Sequence, residues 1–355
     1  MKKKILFITP YPFDSAPSQR FRFEHFFDLL KKEKFQFTQQ PFFSEEGFAI
    51  LYKKGFLLQK LWHTIAGFFK RFLLLFSVAK YDFVFIHREA TPIGPPIIEW
   101  LIAKVFRKKI IYDFDDAIWL SNTSAANTFV SKIKFHSKVK NICSWSYKIT
   151  VGNDFLADFA KQYNTNVVFF PTVVNTAIHH EKFKKTNTKT TVGWTGSHST
   201  MQYLSMVFPV LEKLQKNFDF DVLIISDKKP EQIVKNLIFV PWKKETEAED
   251  LGRIDIGVMP LVEDAWAKGK CGFKAIQYMA LGIPAVVSPV GVNTQIVDDG
   301  INGFWCADEK DWEEKLSLLL ANPTLINSFK KAATEKIENN YSVHSQQKKF
   351  IALFE

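Results

Sequence analysis

Lys268-Gly-Lys-Cys-Gly-Phe-Lys-Ala-Ile-Gln-Tyr-Met-Ala-Leu-Gly-Ile-Pro-Ala-Val-Val-Ser288 reads as a basic, glycine-bearing loop, then a helix, then a buried strand. Phe273 to Leu281 has helical composition; Gly282 ends it and Pro284 prevents its return. Ala285 to Ser288 is a short apolar run of the kind found in parallel sheets buried on both faces. A glycine loop feeding a helix N-terminus gathers unpaired backbone N–H groups and the positive end of the helix dipole. Lys268, Lys270 and Lys274 add charge beside Gly272 and Phe273, so the ligand expected here is a diphosphate.

Upstream, strands and helices alternate. Lys4–Thr9 reads as a strand, Arg20–Lys32 as a helix, and Phe35–Gln39 as a second strand. One or two helices follow over about 50–79, then strands at Asp82–Ile86 and Lys109–Tyr112 around a helix over Pro95–Val105. A helix from Ser131 to Ser146 leads to strands at Lys148–Val151 and Val167–Phe170. Such alternation predicts a doubly wound parallel sheet. Residues 171–187 are polar and poorly patterned, which marks a domain boundary; the alternation then restarts at Thr191. The expected domains are 1–175 and 188–338, with 339–355 as a helix crossing back to the first.

At 355 residues the chain suits two domains. Three scattered cysteines, Cys143, Cys271 and Cys306, exclude a disulfide scaffold and fit a reducing compartment. The start reads as a first strand rather than a signal peptide, and no window is expected to reach transmembrane length. The net charge of +10 comes with 36 phenylalanines and no nucleic-acid motif, so an anionic membrane surface or a phosphorylated substrate is favoured and nucleic acid is not.

The signature segment resembles the donor-binding motif of the retaining glycosyltransferases of the GT-B fold, glycosyltransferase family 4. Its helix usually reads Glu-Ala-Met-Ala or Glu-Tyr-Met-Ala, followed by x-Gly-x-Pro-Val-Val; here it reads Gln277-Tyr-Met-Ala280, then Leu281-Gly-Ile-Pro284. A subgroup with the run Lys-Cys-x-Phe-Lys-x-x-Gln-Tyr-Met-Ala is closer still. The resemblance implies an α/β GT-B fold, with two Rossmann-like doubly wound parallel-sheet domains facing across a cleft. It implies transfer of a sugar from a nucleotide-sugar donor, bound in the second domain, to an acceptor hydroxyl presented by the first. The anomeric configuration would be retained, with no metal and no cofactor. The acceptor would be a saccharide or lipid-linked one, in cell-envelope polysaccharide or glycolipid synthesis, with the protein cytoplasmic and peripheral on the inner membrane face.

Gly269 and Gln277 stand where the family carries glutamates; the Gln277 amide still donates to and accepts from ribose hydroxyls. The missing first glutamate leaves two alternatives to transfer: a nucleotide-sugar epimerase of GT-B-like fold, or a catalytically idle nucleotide-binding protein. Gly193-Trp-Thr-Gly-Ser-His-Ser-Thr200 reads as an ordinary strand-to-helix turn or as a phosphate-contacting one, and its place in the same domain as the signature favours the second; Gly196 and Ser197 would then approach the ligand, with Thr200 the expected helix N-cap. In the resembled fold Trp242 lines the base pocket. His87 matches a histidine that in some relatives reaches the donor sugar, and Arg88 follows it at a strand end. Asp113-Phe-Asp-Asp116 is either a metal site like the Asp-x-Asp of the GT-A fold or an acceptor-recognition and general-base site. The metal independence of GT-B enzymes favours the latter, with Asp115 and Asp116 joining His87 as catalytic residues. Ser18, Arg20 and Arg22 lie where the first loop would meet a phosphate or acceptor.

In the region 55–80, Gln59, Lys60, His63, Thr64, Gly67, Lys70 and Arg71 recur at near-helical spacing. That pattern predicts a basic amphipathic helix able to lie in a membrane interface, or a core-facing helix with solvated lysines.

Overall fold

The computed structural model describes residues 3–120, 134–179 and 189–355. The expected helix start at Ser131 and much of the polar boundary segment lie outside these residues. The chain forms two compact units, Met1–Thr172 with Gln347–Glu355, and Val173–Gln346.

The first unit is built on β1 (Lys4–Thr9), β2 (Gln36–Pro41), β3 (Phe83–His87), β4 (Lys109–Phe114), β5 (Lys148–Val151) and β6 (Val167–Phe169). They form one six-stranded sheet in the order β2-β1-β3-β4-β5-β6, with every pairing parallel. Central strands β1, β3 and β4 are buried almost throughout, as near-continuous apolar runs require. The phenylalanine excess packs around Phe7, whose ring contacts Phe23, Phe27, Phe37, Phe85 and Phe354.

The single helix expected over Arg20–Lys32 is broken into Pro17–Arg20, a 3-10 turn at Glu24–Phe26, and Phe27–Lys32. The break lets Phe21, Arg22, Phe23 and Phe26 all point inward, which one amphipathic face could not do. The expected absence of a transmembrane-length window is also corrected. The Leu57–Val78 helix is long and apolar enough to cross a membrane by length and composition.

The second unit carries β7 (Thr191–Thr195), β8 (Asp221–Ser226), β9 (Leu237–Pro241), β10 (Ile256–Met259), β11 (Ala285–Val287) and β12 (Gly303–Trp305), in the order β12-β11-β10-β7-β8-β9. Again all pairs are parallel. Three-residue β12 has no counterpart among the expected strands. Around Thr200 the structure differs from expectation: Ser197 occupies the N-cap position and Thr200 lies inside the His198–Met201 turn.

The chain leaves the first unit at Thr172 and returns at Gln347, against the expected 175 and 339. Residues 339–346 stay with the second unit because Val174 bridges Ser342, accepting from Val343 N at 2.9 Å and donating to Tyr341 O at 2.9 Å. The tail from Gln347 then packs in the first unit, with Phe350 stacked on Phe26 at 4.3 Å.

Candidate functional site

In open parallel sheets, ligands sit at the strand C-termini where the strand order reverses. In the second unit that point lies between β7 and β10. Two glycines make room there. A Cβ on Gly196, just past β7, would lie 2.6 Å from Trp194 Cζ2 and 2.7 Å from Lys274 Cε, so the lysine stem crosses the turn in contact with its backbone. Lys274 is the second residue of the Phe273–Ala280 helix, and its Nζ lies 5.5 Å from the Trp194 ring centroid. Gly272 caps that helix at φ +66°, where a Cβ would also lie 2.1 Å from Ile296 Cδ1. Only glycine fits both conditions.

Further along the helix, buried Tyr278 ties the two strands at the reversal. Its hydroxyl accepts from Thr195 N at 2.9 Å and donates to Val258 O at 3.4 Å. The amide of Gln277, almost fully buried, donates to Glu247 Oε1 at 3.2 Å, and the Trp242 indole donates to the same oxygen at 3.1 Å. Glu247 is therefore a carboxylate that the sequence reading missed. It stands in an acidic run, Glu245 to Asp250, whose pattern does not reveal which member turns inward.

The three lysines do not share one partner. Lys268 ends a short helix, Ala265–Lys268, and pairs with Glu263 at 3.0 Å, while Lys270 Nζ sits 4.4 Å from the Trp266 ring centroid. Lys274 alone of the three is placed against Gly196. Ser197 is exposed, with its hydroxyl 2.8 Å from that of Ser199.

In the first unit the order reverses between β1 and β3. His87 ends β3 with its ring fully buried. Its Nδ1 lies 2.7 Å from Asp113 Oδ2, and its Nε2 has no hydrogen-bond partner among the described residues. Asp113, on β4, also accepts from Thr150 Oγ1 at 2.7 Å and from Arg22 Nε at 3.2 Å. Burial pushes the Asp113 carboxyl up, but the Arg22 charge and the hydrogen bonds from His87 and Arg22 outweigh it and hold it well below the usual range. An ionised Asp113 can only accept, so the 2.7 Å contact places a proton on His87 Nδ1.

Arg88 follows in the left-handed region at φ +60°. Its guanidinium donates to Asp115 Oδ1 at 2.8 Å and Asp116 Oδ2 at 2.9 Å. Burial would lower the Arg88 pKa, yet the two carboxylates raise it above its ordinary value. The acidic run is thus divided: Asp113 faces Arg22, and Asp115 and Asp116 face Arg88. Three carboxylates within four residues repel one another unless they are paired, and this division pairs them. It also corrects Arg22, which binds Asp113 and the Phe170 carbonyl rather than presenting itself to a ligand. Arg20 is buried with its guanidinium 4.9 Å from the Phe21 ring centroid, and Ser18 beside it is half-buried.

Residues 189–322 match the family model of the glycosyl transferases group 1. The matched span contains every strand of the second unit and the whole Gly196–Lys274–Gln277 arrangement. No curated protein sequence matches the chain. Among solved structures, the chain is similar to the sucrose-phosphate synthase of Thermosynechococcus elongatus at a TM-score of 0.72 and 13% identity, covering 100% of this chain and 98% of that one. It is similar to a glycosyltransferase of Rickettsia africae at 0.65 and 15%, covering 99% and 98%. It is also similar to Anabaena HepE in complex with UDP and glucose at 0.62 and 11%, covering 99% of each chain. The fold is therefore that of the GT-B glycosyltransferases, with two six-stranded parallel sheets flanked by helices.

Proposed function

We propose that the chain is a glycosyltransferase that moves a sugar from a nucleotide diphosphate sugar to an acceptor hydroxyl with retention. The reading rests chiefly on one observation. Lys274 is laid across Gly196 at the strand reversal of the very unit that matches the glycosyl transferases group 1. A cation, a left-handed glycine cap and the first N–H groups of an eight-residue helix converge there, as a diphosphate requires.

In this reading Lys274 takes the diphosphate, supported by Lys268, Lys270 and the backbone at Gly272 and Phe273, and these groups stabilise the charge of the leaving nucleoside diphosphate. That work is assigned to the protein's own cations rather than to a metal. Gln277 and Glu247 take the ribose hydroxyls, and Trp242 borders the base. HepE has been solved with UDP and with UDP-glucose, so uridine diphosphate sugars are the first donors to test. The first unit receives the acceptor. His87 accepts from a hydroxyl through Nε2, Asp115 and Asp116 act with Arg88 on the acceptor side, and Ser18 and Arg20 border it. The acceptor is a saccharide or lipid-linked saccharide of the cell envelope, met at the cytoplasmic face of the membrane.

Titration calorimetry with UDP and with other nucleoside diphosphates tests the donor site. Nucleoside diphosphate release from a panel of nucleotide sugars, with and without saccharide and lipid-linked acceptors, tests the reaction. Acceptor-dependent release is expected. Binding without release under any acceptor would favour an idle nucleotide-binding protein, and no binding at all would overturn the reading.

A further inference from the structure

The Leu57–Val78 helix presents an apolar stripe outward, while its inner face carries Gly67 and Arg71 along with Leu74, Leu75 and Val78. Arg71 is completely buried, donating to the carbonyls of Thr9 at 2.7 Å, Gln40 at 2.9 Å and Ala90 at 2.7 Å. Its burial lowers its pKa, against the pull of Glu99, to about 9. Gly67 is packed so closely on Phe42 that a Cβ would lie 2.6 Å from the ring, and half-buried His63 lies 3.3 Å from Ser44 Oγ. These contacts pin the helix along its length to the first unit. On the opposite side Leu58, Trp62, Ile65, Phe69, Phe72 and Phe76, spaced at helical intervals, are all more than half exposed. Exposed apolar stripes of this length mark interaction surfaces.

The charge around the stripe selects the occupant. No acidic residue occurs between Glu46 and Asp82. Exposed Lys53 and Lys54 precede the helix, and Lys80 follows it. Lys108 donates to Ala79 O at 2.8 Å at its C-terminal end, and Lys3, Lys4, Arg107 and Lys109 line the same depression as Lys80 and Lys108, where Asp82 and Glu355 are the acidic residues. Half-exposed Trp100 lies on the Ile97–Trp100 helix, which contacts the Leu57–Val78 helix. A cationic rim at both ends repels a second copy paired face to face. It attracts an anionic bilayer, whose interface also suits exposed tryptophan.

We infer that the Leu57–Val78 helix is an in-plane membrane anchor. Its exposed apolar face enters the boundary between headgroups and acyl chains of an anionic bilayer, while its inner face stays docked on the first unit. The inference deepens the membrane part of the proposed function and does not depend on sugar transfer. It differs from the basic membrane-facing helix expected from the spacing of Lys60, Lys70 and Arg71. Arg71 is inside, Lys60 is half-buried and donates to the Lys53 carbonyl, and Lys70 alone of the three is exposed.

The full chain is sedimented with vesicles of phosphatidylcholine and phosphatidylglycerol in equal parts, and with phosphatidylcholine alone. Wild-type protein is expected to pellet with the anionic vesicles and to remain partly bound at high salt. The W62Q/F69Q/F76Q variant, altered only at exposed positions, is expected to stay in the supernatant at every salt concentration, and K53Q/K54Q/K80Q to lose binding mainly at low salt. Wild-type protein that ignores the vesicles, an apolar variant that pellets like wild type, or binding abolished entirely by salt would overturn the inference. So would a solution dimer, by sedimentation velocity, that becomes monomeric in the apolar variant without vesicle binding, since a second copy would then cover the stripe. Calorimetry with UDP on the same proteins separates the two readings: vesicle binding without nucleotide binding leaves the anchor standing and removes the transferase.

Discussion

Lys274 and Gln277 lie one turn apart on the same helix and meet different partners, the backbone of a glycine turn and a buried carboxylate. Lys274→Ala should weaken nucleoside diphosphate binding by about 1.5–3 kcal/mol, the range for a hydrogen bond to a charged group, with little change in stability; unchanged affinity by calorimetry would remove Lys274 from the donor site. Asp113 is a different case, since it is fully enclosed with Arg22 and His87. Asp113→Asn should destabilise the first unit by about 3–5 kcal/mol at neutral pH, because the buried Arg22 charge loses its partner. The sign of the pH dependence follows from the lowered Asp113 pKa. Its stabilisation is complete above the unfolded carboxyl's value of about 3.9 and is lost as pH falls below it. Urea melts of wild type and variant should therefore differ most near neutrality and converge in acid. A gap that widens in acid would contradict the assignment. The sequence marked Asp113 only as one of three crowded acids. Which acid faced which arginine depended on β4 running two residues further than its apolar pattern, and on a helix break that freed Arg22 to turn inward.

Secondary elements show where periodicity is informative and where it is not. The signature helix was legible to within a residue, because Gly272 and Gly282 bracket it. The Leu57–Val78 helix was legible as amphipathic, but not in its direction. A periodic pattern says that two faces differ, and only tertiary partners decide which one is inside. Here the deciding partners are the carbonyls of Thr9 and Gln40 at strand ends and of Ala90 in the loop after β3, which need a donor, and the Phe42 ring that needs a glycine. The turn after β7 offers a test at this scale. Gly196→Ala places a methyl group against the Trp194 ring and the Lys274 stem. Lys274 is the more flexible of the two, so the lysine should swing away while the sheet holds. UDP affinity should then fall at least tenfold, about 1.4 kcal/mol, while the melting temperature changes little. A large loss of stability with intact affinity would show that the turn serves packing alone.

At the scale of the whole molecule, the alternation of strands and helices sufficed to expect two doubly wound halves, but the strand orders became visible only with the sheets, and they are what place the candidate sites at the two reversals. The tail is the clearest long-range dependence. Phe350, Leu353 and Phe354 are essentially fully buried in the first unit, although they follow the entire second unit in sequence. Phe350 also contacts Phe170, and Phe354 meets Phe35, Phe83 and Phe85. Removing a buried phenylalanine side chain costs about 3–5 kcal/mol. The two together therefore approach the entire stability of a typical domain, about 5–15 kcal/mol. The second unit, Val173–Gln346, is continuous and keeps its own core around Trp194 and Trp312. A chain ending at Gln346 should accordingly lose the first unit and keep the second. In limited proteolysis followed by mass spectrometry, residues 3–172 should be digested while a fragment close to 173–346 survives, whereas Phe350→Ala alone should leave both units protected but lower the melting temperature of the first. Equal protection of both units in the truncated chain would mean that the first core stands without its C-terminal aromatic plug.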